Sequence, residues 1–209
     1  MDDVFRLKAE AFHNIINKEM MIAYDAEDFN IKNYFINEIK LPNNKLKSYG
    51  KLYLGSLPSV EIHKQYNIEY IVSIYDLEES LIQKDIEHDI FRIKDTTDTE
   101  STNQMNDILQ IIPNKIHNFI SNNKNVLVHC FAGISRSSTV VLSYLLDHYF
   151  YNDVTINPKY GTCNCVARII KYVKTFRPII SPNQSFLFLL FSNHHTKCKH
   201  IPKQDKLIE

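Results

Sequence analysis

The 209-residue chain has no tryptophan, only four glycines and only four cysteines, and its 24 basic and 24 acidic side chains cancel. Each shortage excludes something. Cysteines at 130, 163, 165 and 198 are too sparse for the disulfide framework of a small secreted scaffold. A reducing compartment is therefore expected, the cytoplasm first and the nucleus second. Zero net charge removes the basic footprint that nucleic acid requires. The longest apolar run, Phe186 to Phe191, falls far short of the ~20 residues that cross a bilayer. The acidic opening Met1-Asp2-Asp3 is the wrong charge for a secretory leader. Neither a nucleic-acid nor a membrane partner is expected. What remains is an ordinary globular composition, 44% hydrophobic and 23% charged, long enough for one domain with an extension.

Residues 1–45 read as that extension. Val4, Phe5, Leu7, Ala11, Phe12, Ile15 and Ile16 have roughly helical spacing, and Pro42-Asn43-Asn44 ends the segment. A domain over 46–195 follows, then a solvated tail over 196–209. Strand-like runs at 51–55, 68–75 and 89–93 precede a polar turn at 95–102. Next comes a helical segment at 105–112 and a second at 113–120, Pro113 suiting the first turn of the latter. Asn125 to Val128 is a continuous apolar run of the kind buried in a central sheet. Beyond Ser135, Val140, Val141, Tyr144, Leu145 and His148 recur at helical spacing while Leu142, Leu146 and Tyr149 fill the next face, which describes a buried helix. Helices around 166–176 and 186–191 complete the chain. Strands alternating with helices make an α/β sheet the default architecture.

The stretch from Val126 to Ser138 carries the chemistry. A buried strand, a tight loop and a buried helix can hold a tetrahedral dianion. The backbone amides of Phe131, Ala132, Gly133, Ile134 and Ser135 can converge on one centre, and the following helix adds its positive end. Gly133 permits the turn. Arg136, six residues after Cys130, can clamp two phosphate oxygens with its planar fork. Amides, helix end and guanidinium all favour thiolate over thiol at Cys130, placing a nucleophile beneath a bound phosphoryl group. Ser137 can donate to the sulfur as it leaves, and His129 orients the loop by hydrogen bonding. A carboxylic acid must protonate the leaving oxygen and later activate water. Asp95, at the end of a strand-like run, is the best placed; Asp98 in the same turn is the alternative.

The run His129-Cys-Phe-Ala-Gly-Ile-Ser-Arg-Ser-Ser138 closely resembles the signature of the dual-specificity protein phosphatases, within the cysteine-dependent tyrosine phosphatase superfamily. Leu52-Tyr-Leu-Gly-Ser56, Ile68 to Ile74, Tyr144-Leu-Leu146 and Arg177-Pro-Ile-Ile-Ser-Pro-Asn183 are similar to other parts of that family, so the resemblance spans roughly 46–191. It implies a phosphotyrosine-phosphatase-like α/β fold with a central twisted mixed sheet flanked by helices, hydrolysis without metal or other cofactor, and a cysteinyl-phosphate intermediate. Carried over by position, Cys130 is the nucleophile, Arg136 the clamp, Asp95 the acid and Ser137 the helper of the second step. The chain departs from the pattern in two places: 151–165 is longer than the usual link, and Gln184-Ser185 stands where the family has Pro-Gly.

The loop residues Phe131, Ala132, Ile134 and Ser135 are uncharged, which disfavours a phosphoinositide or an RNA 5′-triphosphate and leaves phosphotyrosine and phosphoserine or phosphothreonine in proteins. Ile31-Lys-Asn-Tyr34 only partly echoes the recognition loop of tyrosine-specific enzymes. A phosphoprotein-binding module without turnover is the rival from another class. Cys163, Cys165, His194, His195 and Cys198 have zinc-type donors but lack the close Cys-x2-Cys spacing of a strong site, so no metal is expected. Oligomeric state is not legible.

Overall fold

The structure, a computed structural model, describes residues 35–42, 49–76, 85–149, 156–157, 162–163 and 165–197. Its centre is a five-stranded sheet: β1 (Ile36–Ile39), β2 (Leu52–Gly55), β3 (Ile68–Ile74), β4 (Glu87–Phe91) and β5 (Asn125–Cys130). The spatial order is β1-β2-β5-β3-β4. β1 runs antiparallel to β2, and the other contacts are parallel, so the sheet is mixed as expected. β5 lies in the middle because Val126, Leu127 and Val128 tolerate burial on both faces, all 0% exposed.

Side-chain alternation sorts the sheet residues into two cores. Leu52, Leu54, Tyr70, Val72, Ile74, Val126 and Val128 face four helices. These are α1 (Thr99–Ser121), α2 (Arg136–His148), α3 (Cys165–Lys174) and α4 (Gln184–Lys197). Tyr53, Ile71 and Leu127 face the other way, toward Val60 and the short 3₁₀ turns Leu57–Val60 and His63–Tyr66. α2 is buried on most sides, as its all-round apolar pattern demands.

Two readings of the sequence need correction. Ile36–Ile39, expected within a helical extension, is strand β1, aligned from Ile36 with Gly55 to Ile39 with Leu52. The physical reason is the open edge of β2: β1 satisfies its backbone, and Ile39 drops into the core at 1% exposure. The helical reading of 1–34 lies outside the described residues, as does Ile31-Lys-Asn-Tyr34. The expected pair of helices at 105–112 and 113–120 is one helix, with Pro113 in its interior. Pro113 removes one backbone donor there. The straight apolar stripe Met105, Ile108, Leu109, Ile112, Ile116 and Ile120, all buried, holds the two halves in line against the sheet. Within 151–165, β6 (Ile156–Asn157) and β7 (Thr162–Cys163) form a small antiparallel ladder.

Candidate active site

β5 ends on Cys130 and α2 begins on Arg136, so the loop 131–135 closes the C-terminal end of the parallel strands. Every carbonyl from Cys130 to Ile134 is held by a donor. His129 Nδ1 donates to the Cys130 carbonyl at 3.3 Å, and the Leu57 amide to Phe131 O at 3.0 Å. Arg177 supplies two bonds, Nη2 to Ala132 O at 3.0 Å and Nε to Gly133 O at 2.8 Å. Ile134 O accepts from Ser138 Oγ at 2.5 Å and from the Ser181 amide at 2.8 Å. A trans peptide is planar, so a carbonyl held to one side turns the following N–H to the other. The Gly133 amide shows the result: its N–H donates to Cys130 Sγ at 3.2 Å. Five consecutive carbonyls, 130–134, are thus fixed, and the loop they hold directs the Gly133 amide at the sulfur. Gly133 is required for the turn. Its φ is +70°, and a Cβ there would lie 2.5 Å from the Gly55 carbonyl and closer still to Arg177.

Cys130 is 1% exposed and carries a second donor, Ser137 Oγ, at 3.2 Å. Arg136 opens the helix that follows the loop and is itself buried. Its Nη1 donates to the Ile93 carbonyl at 2.8 Å and to Asp76 Oδ1 at 3.3 Å. Its buried Nε makes no hydrogen bond among the described residues and is held instead at ion-pair distance from the Asp95 carboxylate.

Asp95 stands across from the guanidinium, Oδ2 lying 3.5 Å from Arg136 Nε. Its Oδ1 accepts from Ser135 Oγ at 2.6 Å and from Asn183 Nδ2 at 2.9 Å. Asp98 is employed differently. It caps α1, accepting from the Ser101 amide at 2.8 Å and from the Thr96 hydroxyl. The Ser101 amide bond, with those hydroxyls, holds its carboxyl down at about 2, too acidic to keep a proton for a leaving group. The structure therefore places Asp95 at the site and Asp98 on a helix end.

His129 is fully buried, and burial pushes its imidazole down to about 4. It is neutral at ordinary pH. Phe131, by contrast, is 57% exposed and forms an uncharged lip beside the sulfur.

Sequence reasoning gave no site role to Arg177 or Asn183. Arg177 is fully buried beneath the loop, and its remaining nitrogen, Nη1, donates to Asn37 Oδ1 at 2.6 Å. A signal existed, because Arg177 is one of only five arginines in a lysine-rich chain. Asn183 caps α4, its Oδ1 accepting from the Phe186 amide at 3.0 Å while its Nδ2 reaches Asp95. With Gln184-Ser185 in place of Pro-Gly, Ser185 Oγ donates to Thr97 O at 3.2 Å and ties the same corner to the acid loop. Of the zinc-type donors, Cys165 is buried and Cys198 lies outside the described residues. Among the described residues no group of three or more His, Cys, Asp or Glu is arranged to hold a metal ion.

Comparisons with known proteins agree with this geometry. Residues 52–196 match the family model described as dual specificity phosphatase, catalytic domain. The chain is 30% identical over 143 residues to Dual specificity protein phosphatase 1 of Arabidopsis thaliana, covering 65% of this chain and 62% of that protein. It is 31% identical over 147 residues to Dual specificity protein phosphatase 15 of Rattus norvegicus, covering 69% of this chain and 55% of that one. It thus spans less than two thirds of either relative's length. Among solved structures, the Yvh1 phosphatase domain of Chaetomium thermophilum is similar with a TM-score of 0.58 and 26% identity, covering 79% of this chain and 98% of that domain. Cys130, Arg136 and Asp95 all lie in the region that the family model matches, and the chain belongs to the dual specificity phosphatase family.

Proposed function

We propose that the chain hydrolyses phosphotyrosine and phosphoserine or phosphothreonine in proteins through a cysteinyl-phosphate on Cys130. The observation that carries this reading is the set of five fixed carbonyls, which holds the loop with the Gly133 amide on Sγ before any ligand arrives. The phosphoryl oxygens bind those amides and the Arg136 guanidinium, and the thiolate attacks phosphorus opposite the leaving oxygen. As the P–O bond breaks, protonated Asp95 delivers its proton to the departing alkoxide or phenoxide. The Asp95 carboxylate then takes a proton from water, whose oxygen attacks phosphorus and releases inorganic phosphate. Ser137 Oγ, 3.2 Å from the sulfur, stabilises the thiolate that departs.

The uncharged lip at Phe131 supports protein phosphoresidues over polyphosphorylated headgroups. The buried thiol of Cys130, outside any disulfide, supports action in a reducing compartment, the cytoplasm or nucleus. The decisive experiment is initial-rate hydrolysis of an aryl phosphate and of phosphopeptides, with EDTA and reductant, by wild type and Cys130→Ser. Turnover that vanishes in the variant is expected. A folded wild type that binds phosphate without turnover would instead make the chain a phosphoprotein-binding module.

A further inference from the structure

Ser73 lies in the buried run Tyr70 to Ile74 of β3 and is itself fully buried, so its hydroxyl requires an account. It lies directly beside His129, the two being aligned on adjacent parallel strands β3 and β5. His88 sits on the next strand, β4, aligned with Ile71 of β3. Ser73 Oγ is 2.5 Å from His129 Nε2 and 2.6 Å from His88 Nε2. With the 3.3 Å bond from His129 Nδ1 to the Cys130 carbonyl, a continuous hydrogen-bonded line runs from β4 to the nucleophile.

The direction of that line follows from counting protons. A carbonyl only accepts, so His129 Nδ1 must carry the hydrogen. A neutral imidazole holds one N–H, so His129 Nε2 is bare and accepts from Ser73. Ser73 has a single hydroxyl hydrogen, now used, so its oxygen accepts from His88 Nε2–H. His88 retains that N–H as a neutral imidazole in this tautomer and as a cation, and the polarity persists through its titration. At the far end, the Cys130 carbonyl fixes the peptide plane whose N–H belongs to Phe131, the first amide of the anion cup.

We propose that Ser73 and His88 are positioning residues for the nucleophile loop: they lock the tautomer of His129 and thereby the orientation of the Phe131 amide. Without Ser73, both ring tautomers of His129 become accessible. In the wrong one, a bare Nδ1 faces the Cys130 carbonyl, and repulsion between two lone-pair acceptors frees that peptide to rotate. The kinetic consequence rests on the phosphatase reading of Cys130, whereas the tautomer lock does not.

The test is histidine-ring ¹⁵N NMR on the full chain, with competitive inhibition by inorganic phosphate and aryl-phosphate kinetics. It compares wild type with Ser73→Ala, His88→Leu and His88→Gln. Wild type is expected to show His129 protonated at Nδ1 alone. Ser73→Ala and His88→Leu should show mixed tautomers, weaker phosphate binding and kcat/KM lower by about tenfold, the usual scale for outer groups that orient a functional imidazole. His88→Gln, which keeps an N–H donor, should restore the wild-type pattern, a rescue that simple packing would not produce. A His129 protonated at Nε2 in wild type, or an unchanged tautomer and phosphate affinity in a folded Ser73→Ala or His88→Leu chain, overturns the proposal. If tautomer and phosphate affinity respond but no variant, wild type included, turns over substrate, the positioning role stands and the phosphatase reading falls.

Discussion

Two aspartates three positions apart do opposite things, and only their partners separate them. Asp95 faces the Arg136 guanidinium at 3.5 Å, and Asp98 is spent on the first turn of α1. Asp95→Asn should lower kcat by about 100-fold, the scale of general acid–base assistance, and leave the melting temperature nearly unchanged. Asp98→Ala should lower the melting temperature and leave kcat close to wild type. Loss of activity confined to Asp98→Ala would reverse the assignment. The sequence ranks Asp95 first, at the end of a strand-like run, and keeps Asp98 as the alternative in the same polar turn, because the N-cap role of Asp98 depends on where α1 begins. Cys130 and Arg136 were legible because their chemistry is local, one loop long. Arg177 acts across 44 positions on Gly133, a distance no motif spans. Arg177→Lys cannot reach Ala132 and Gly133 together. It should raise KM and lower kcat while destabilising the fold by about 1–3 kcal/mol, the cost of unsatisfied buried carbonyls, readable by urea unfolding alongside kinetics.

At the level of elements, the strands and helices with strong periodicity were readable, and the errors fell where tertiary contacts override local preference. β1 is four residues long and has no register of its own until β2 offers an edge. Pro113 looks like a helix start and is tolerated inside one because the stripe on either side of it is continuous. β1 gives a sharp test. A chain lacking residues 1–34 keeps the complete sheet. A chain lacking 1–45 loses β1, uncovers Leu52 and Leu54, and removes Asn37, the partner of Arg177 at 2.6 Å. The longer deletion should show a clearly lower melting temperature and weaker phosphate binding than the shorter one. Equal behaviour of the two would mean that β1 contributes nothing to the site.

At the scale of the whole molecule, the buried imidazoles make stability depend on pH. Burial holds His129 at about 4 in the folded chain, against 6.5 for the free side chain. Burial also lowers His88. Between those limits the unfolded chain binds a proton that the folded chain refuses, so stability falls as pH drops from about 6.5 toward 4 and is fully present above that window. The His129 contribution amounts to roughly 3 kcal/mol across the window. Urea midpoints measured from pH 7 to 4.5 should therefore decline less steeply in His129→Gln than in wild type; parallel slopes would show that other groups dominate the acid response.

The strand order also bears on how the chain comes to exist. β5 is the only strand that joins β2 to β3, and it is the last of the five to be synthesised. A nascent chain that has emerged only through α1 holds two separate strand pairs, with their apolar edges open and nothing between them. Closure waits for Val126 to Val128, and the same strand delivers Cys130 at its end. The sulfur therefore enters its ring of amides only as the sheet completes, and an unfinished chain carries no assembled active site.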